Sequence, residues 1–237
     1  MTDVKQGKVY GIGLGPGDPE LMTLKAARLI REAAVIAYPT LAGGASFARS
    51  IAADFISPDT REIVMDVPMT IERGPAQAAY DVGAAEIAQT LQAGQDVVVL
   101  CEGDPFFYGS FMYLFARLNA AFDVEVVPGV TSVTACAAVA GLPLVARNEV
   151  MTVLPAPLDD GALHDKLVAS DTLVLMKLGR HFARVRALID AAGLTENSVY
   201  IERATGVDEV VKPLKDAPEK APYFSMILIV KGADPWL

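Results

Sequence analysis

Two cysteines, Cys101 and Cys136, and two histidines, His164 and His181, are all that the 237-residue chain offers of these two residue types. The cysteines stand apart in apolar stretches with no C-x-x-C spacing. A disulfide framework and a metal site are therefore not expected, and a reducing, cytoplasmic setting fits. An excess of positive charge is also missing: 20 Lys plus Arg face 29 Asp plus Glu, a formal net charge of -9 with a pI near 4.7. Without a basic field to gather a polyphosphate backbone, nucleic acid is not an expected partner. The opening MTDVKQGKVYGIG lacks the basic region, apolar run and small-residue cleavage site of a signal peptide, so the mature chain is expected to begin here. One uncharged stretch, 126–146, is long enough to span a bilayer, but Pro128, Gly129, Gly141 and Pro143 interrupt it. A buried helix between two loops is the expectation, with no membrane partner.

What is present is 52% hydrophobic residues, 21% charged residues, 19 Gly and 15 Pro, the composition of a compact globular chain of one or two domains. Apolar β-branched runs alternate with helical patterns. Strands are predicted at 9–14, 35–38, 63–65, 97–100 and 124–127, and helices at 24–34, 46–53, 76–93 and 108–118. The run Val97-Val98-Val99-Leu100 shows no polar alternation, as a central strand covered on both faces should. A helix then runs from after Thr131 to Ala140. Beyond it the pattern is richer in strands, at 151–154, 173–176, 199–201, 210–211 and 224–230, with helices at 163–169 and 182–192. The predicted class is α/β: an N-terminal domain over 1–129 with a mainly parallel sheet, and a C-terminal domain over 130–237 with a mixed sheet. The active site is expected in a cleft between them.

Three segments combine turn residues with polar groups where a strand ends and a helix begins. Gly11-Ile12-Gly13-Leu14-Gly15-Pro16-Gly17-Asp18 is the first. Counted as G-x-G-x-x-G from Gly11 or Gly13, the final position falls on Pro16 or Asp18, so a dinucleotide cradle is not written. A tight turn with Asp18 or Thr23 as helix cap explains the segment equally well. The second is Cys101-Glu102-Gly103-Asp104-Pro105, after the central strand. Two carboxylates at the carboxyl end of a parallel strand suit a ligand with positive charge or hydrogen-bond donors, such as a sulfonium, an ammonium or a ribose, while repelling phosphate. Asp104 as a plain cap of the next helix is the competing explanation. The third is Pro128-Gly129-Val130-Thr131-Ser132. MKLGR at 176–180 and ERAT at 202–205 place charged residues at strand ends in the second domain.

Taken together and in this order, these segments resemble the tetrapyrrole methylase family, the class III S-adenosylmethionine-dependent methyltransferases. The resemblance covers essentially the whole chain. VYGIGLGPGDPELMTLKA matches the proline-containing glycine loop of the family, GDP its second motif and VVPGVTS its third. AYPT at 37–40, EGDPFFYGSFMYL, MKLGR, ERAT and YFSMILIV look most like the members that methylate precorrin-2 at C20. The sequence departs from the uroporphyrinogen methylases, which tend to show GGDPF, by placing Glu102 before Gly103, and it carries Ala204 where many relatives have glycine.

The resemblance implies S-adenosylmethionine as co-substrate, no metal, and a tetrapyrrole substrate methylated at C20, precorrin-2 giving precorrin-3A, with the cobalt-containing intermediate as alternative. It further implies a cytoplasmic homodimer. Residue by residue, Pro16, Glu102, Gly103, Asp104, Phe107, Thr131, Ser132, Met176 and Ala204 would line the cofactor pocket. The substrate supplies its own nucleophile, so a proton acceptor is the one catalytic group needed, with Asp104, Lys177 and Glu202 as candidates. The carboxylate rim of the substrate calls for local cations, for which Arg49, Arg147, Arg180 and Arg203 are candidates. Two readings from other classes are a non-catalytic S-adenosylmethionine sensor and a dinucleotide oxidoreductase, the latter disfavoured by Pro16.

Overall fold

The computed structural model describes residues 5–41, 44–68 and 72–232 and divides into two compact units, Met1–Thr131 and Ser132–Leu237. The first is built on five parallel strands in the order β3-β2-β4-β1-β5: β1 (Val9–Gly13), β2 (Val35–Leu41), β3 (Arg61–Val67), β4 (Val97–Cys101) and β5 (Val124–Val127). The sheet is thus wholly parallel, and all five carboxyl ends lie on one edge.

The uninterrupted apolar run of β4 has the physical cause the sequence suggested. Val97, Val99 and Cys101 pack on one face under α3 (Arg73–Gln92) and α4 (Phe111–Leu118), while Val98 and Leu100 pack on the other under α1 (Leu24–Glu32) and α2 (Phe47–Ile51). With side chains alternating between two buried faces, a polar residue at any position of β4 would lose its water.

The second unit holds a mixed sheet in the order β6-β7-β10-β8-β9, formed by β6 (Met151–Pro155), β7 (Thr172–Met176), β8 (Ser198–Glu202), β9 (Val210–Pro213) and β10 (Ser225–Val230). β6 and β7 run parallel, and β10 runs antiparallel to both β7 and β8. α6 (Asp160–Ala169) and α7 (Phe182–Ala191) cover one face through Leu163, Leu167, Phe182, Val185 and Ile189. α5 (Ser132–Ala140), the helix inside the uncharged stretch 126–146, covers the other through Val133 and Cys136. Among the described residues no helix is long and apolar enough to cross a membrane.

One element begins later than its periodicity predicts. α4 starts at Phe111 rather than near 108, because residues 104–110 are folded into turns, with Tyr108 in the left-handed region at φ 57°. The cause is Asp104, whose Oδ1 accepts the backbone N–H groups of Phe106 and Phe107 at 2.9 and 3.1 Å and holds the chain out of the helix.

At the opposite edge of the first sheet, Glu125 lies between two lysines, Lys8 at 2.9 Å and Lys25. Hydrogen bonds from Lys25 and then Lys8 hold its carboxyl at about 2, below the ordinary 4.5. A depressed carboxyl contributes stability above its ordinary value and loses it as pH falls through the folded value. Thermal denaturation between pH 4.5 and 2 is therefore expected to show a steeper loss for the wild type than for Glu125→Gln. The difference should shrink in 1 M salt, which screens the partly exposed pair.

Candidate active site

The loops that follow β1, β4 and β5 meet at the carboxyl edge of the first sheet and are bonded to one another. Leu14 donates its N–H to the Cys101 carbonyl at 2.9 Å, and Gly15 and Gly103 exchange two backbone hydrogen bonds of 3.2 and 2.7 Å. Asp104 Oδ2 accepts the Gly129 N–H at 3.0 Å, so one carboxylate fixes its own turn and ties the β4 loop to the β5 loop. The approach is so close that only glycine fits. A Cβ at Gly129 would stand 2.1 Å from the Gly103 carbonyl oxygen and 2.8 Å from the Gly13 backbone. Gly103 sits at φ 63°, and a Cβ there would meet nothing nearer than the Val130 oxygen at 4.0 Å. Its backbone therefore borders open space, as a surface approached by a ligand should.

The cap reading of the glycine loop is also visible: Asp18 accepts the Glu20 N–H at 2.9 Å and Thr23 caps α1 by accepting the Ala26 N–H at 3.1 Å. Pro16 stands between the Gly15–Gly103 pair and that cap. Phe107 lies half-exposed beside Tyr108, their ring centroids 5.4 Å apart and nearly perpendicular.

Glu102 differs from Asp104 in its surroundings. Burial pushes its carboxyl above the ordinary range, opposed only by the backbone N–H of Ala48 near the start of α2. Among the described residues no lysine or arginine pairs with it. Arg49, the residue after Ala48, is committed elsewhere: its Nε and Nη2 donate to the two Glu62 oxygens at 3.0 and 2.9 Å, and the Tyr38 hydroxyl also donates to Glu62. Ser46, donating to the Pro39 carbonyl at 2.8 Å, completes the attachment of α2 to the end of β2.

In the second unit the register brings MKLGR and ERAT to one edge. Met176 faces Met226 and Glu202 faces Ser225, so the carboxyl ends of β7 and β8 flank the start of β10. Lys177 and Arg203, the next residues along, both adopt left-handed backbone at φ 60° and 47°, conformations that cost a side-chain-bearing residue energy and cluster at functional positions. Burial lowers the Lys177 ammonium below its ordinary value. Glu202 accepts the hydroxyl of the buried Tyr200 at 2.9 Å and lies 3.5 Å from Arg203, whose other carboxylate neighbour is Asp208 at 3.9 Å. Ala204 is buried in the cluster that includes Ile201 and Met226. Arg180 donates to His181 at 3.3 Å, and burial together with Arg180 and Arg184 holds that imidazole below its ordinary value. Arg147 is a third cation in left-handed backbone, at φ 47°. Among the described residues no group of three His, Cys, Asp or Glu is placed to hold a metal ion.

The model of the tetrapyrrole (corrin/porphyrin) methylases matches residues 8–218. The chain belongs to this family. It is 38% identical over 238 residues to the precorrin-2 C(20)-methyltransferase of a Sinorhizobium species, covering 97% of each chain. It is 32% identical over 229 residues to the cobalt-precorrin-2 C(20)-methyltransferase of Salmonella typhimurium, covering 95% of this chain and 97% of that one. To the cobalamin biosynthesis protein CobIJ of Mycobacterium tuberculosis it is 42% identical over 236 residues, covering 96% of this chain and 46% of that protein, so it spans about half the length of this relative. Its fold is similar, with a TM-score of 0.67 and 26% identity, to that of a uroporphyrin-III C-methyl transferase from Thermus thermophilus solved with S-adenyl homocysteine, covering 95% and 92% of the two chains.

Set in this family of S-adenosylmethionine-dependent methyltransferases, the residues singled out in the sequence fall into two groups. Pro16, Glu102, Gly103, Asp104 and Phe107 share the loop edge of the first unit, where Thr131 ends the β5 loop and Ser132 opens α5. Met176, Lys177, Glu202, Arg203 and Ala204 share the edge of the second. Arg49 is held by Glu62 within the first unit. Gly129 and Tyr38 escaped the sequence reading as site residues. The Pro-Gly pair in VVPGVTS was the available signal for Gly129, whereas nothing local marked Tyr38 as a partner of Glu62.

Proposed function

We propose that this chain catalyses C-methylation of precorrin-2 at its C20 meso position, with S-adenosylmethionine as donor, giving precorrin-3A. The observation that carries the proposal is the end-to-end similarity to the Sinorhizobium enzyme, in a chain whose loop segments GPGDPEL, EGDPFFYGS and PGVTS carry carboxylates, glycines and hydroxyls and no Lys or Arg. The residues present fit the cofactor: the Gly103 backbone borders open space, and the Glu102 carboxylate is partly buried, with no lysine or arginine paired to it among the described residues. Pro16, Glu102, Gly103, Phe107, Thr131, Ser132, Met176 and Ala204 are proposed to surround it. When bound, it supplies an electrophilic methyl group on a sulfonium sulfur.

The chain's own contribution is alignment and exclusion of water, since the electron-rich meso carbon of the substrate is the nucleophile. Asp104 acts as a positioning residue in this scheme, because backbone N–H groups occupy both of its oxygens. Arg203, aimed by Glu202, and Arg180 are proposed to receive substrate carboxylates, with Arg147 a further candidate. Lys177 suits the removal of the proton from C20, since burial has lowered its affinity for protons toward the working range.

The similarity to the Salmonella enzyme supports a second reading, in which the ring already carries cobalt. A carbon-labelled methyl donor, offered with metal-free and with cobalt-loaded substrate, separates the two by NMR and mass spectrometry of the product. The expected result is one new methyl on a meso carbon of the metal-free ring. Methylation of uroporphyrinogen III, or of the cobalt complex alone, would sink the assignment.

A further inference from the structure

We infer that Tyr223 and Phe224 form a platform for one face of the tetrapyrrole ring, with Arg203 and Lys177 at the ends of the two neighbouring strands to meet its carboxylates. The inference rests on the substrate class proposed above and adds to it two residues, known from the sequence only as the start of the run YFSMILIV, that have no part in the scheme so far.

Among its described residues the second unit has four aromatic side chains, of two kinds. Phe182 and Tyr200 pack against each other inside the core, with ring centroids 5.4 Å apart and almost no exposure. Tyr223 and Phe224 are 47% and 41% exposed, their centroids 5.3 Å apart and their planes at 82°. A single exposed aromatic residue is ordinary on a protein surface, but two in succession at a sheet edge make an apolar patch. The backbone beneath them is fixed. The Phe224 carbonyl accepts the Arg203 N–H at 2.9 Å, the Tyr223 carbonyl accepts the Ser225 N–H at 2.9 Å, and the Ser225 hydroxyl donates to the Pro222 carbonyl at 2.6 Å. Rings carried on an anchored turn give up little freedom when a ligand covers them.

The charges at this edge select the ligand. β10 lies between β7 and β8, and each of those strands ends in a cation: Arg203 is bonded to Phe224 itself, and Lys177 is one step past the Met176–Met226 pair. Both cations hold left-handed backbone, a cost borne on each side of the aromatic pair. The carboxylates near the Arg203 guanidinium are Glu202 at 3.5 Å and Asp208 at 3.9 Å, both longer than a direct charge-assisted hydrogen bond, so donors of its fork remain for a further carboxylate. A rigid ring with an apolar face and a carboxylate rim matches the aromatics and the cations together.

Kinetics with precorrin-2, set beside calorimetry with S-adenosylhomocysteine on the same variants, test this. Tyr223→Ala and Phe224→Ala remove exposed rings, and each is expected to raise KM for the tetrapyrrole about fivefold, the double variant about twentyfold, with kcat changed by less than about twofold. Affinity for S-adenosylhomocysteine should move by less than about twofold. Tyr223→Leu and Phe224→Leu keep apolar bulk but lose the flat face, so they should share the rise in KM, whereas Tyr223→Phe and Phe224→Tyr should not. An unchanged KM in the double variant overturns the inference. So does an equal loss of S-adenosylhomocysteine affinity, which would assign the rings to the adenosine of the donor, and so does weaker self-association in sedimentation with KM intact, which would assign them to a contact between copies. A wild type that binds S-adenosylhomocysteine but methylates no tetrapyrrole overturns the substrate reading itself.

Discussion

Gly129→Ala is expected to prevent the loop edge of the first unit from forming. The added Cβ would lie 2.1 Å from the Gly103 oxygen and 2.8 Å from Gly13, and every atom it meets is backbone, so no side chain can rotate away. Relief requires the β1, β4 and β5 loops to part, breaking the Asp104–Gly129 bond as well. Overpacking of this kind costs about 3 kcal/mol or more where the neighbours cannot give. Chemical denaturation should show that loss, and calorimetry should show no binding of S-adenosylhomocysteine. Gly103→Ala is the informative contrast. Its Cβ enters open space, so stability should fall by only about 1–2 kcal/mol, the cost of a left-handed alanine. The methyl would nevertheless occupy the surface proposed to meet the cofactor, so affinity should fall by more than the loss of stability explains. Undiminished affinity in Gly103→Ala would place the ligand elsewhere.

Asp104 should be the most sensitive side chain of the same edge. Truncation to alanine leaves three backbone N–H groups, those of Phe106, Phe107 and Gly129, without their acceptor. Hydrogen bonds to a charged acceptor contribute about 1.5–3 kcal/mol each but do not add when they share one group, so a loss of about 2–4 kcal/mol is expected. Asparagine separates the two functions of the carboxylate. Its oxygen can still accept from Phe106 and Phe107, whereas its NH₂ would face the Gly129 N–H, donor against donor. Asp104→Asn should keep the turn before α4, lose the tie between loops, and weaken S-adenosylhomocysteine together with stability. Denaturation and calorimetry on the same preparation measure both. Wild-type values of both would mean that the tie contributes nothing.

The sequence by itself determined the order and type of the elements and the two kinds of sheet. An unbroken apolar run such as 97–100 and the helical spacing of 24–34 or 182–192 report the burial of their own segment, a local property that composition must satisfy wherever the segment ends up. It also marked EGDP, GPGDP and PGVTS as strand-end loops, because turn residues declare the backbone they need. Only the tertiary structure decided what those residues touch. Asp104 and Gly129 are 25 positions apart, and they meet because the order β3-β2-β4-β1-β5 sets the β4 and β5 loops on either side of the β1 loop. The same order decides that Arg49, written as a plausible substrate cation, pairs with Glu62 on β3, while Glu102, written beside Asp104 with the same charge, has no lysine or arginine paired to it among the described residues. Periodicity carries the burial of a residue's own face, but a hydrogen-bond or ion-pair partner is set by which strands become neighbours, and that depends on the packing of the whole sheet.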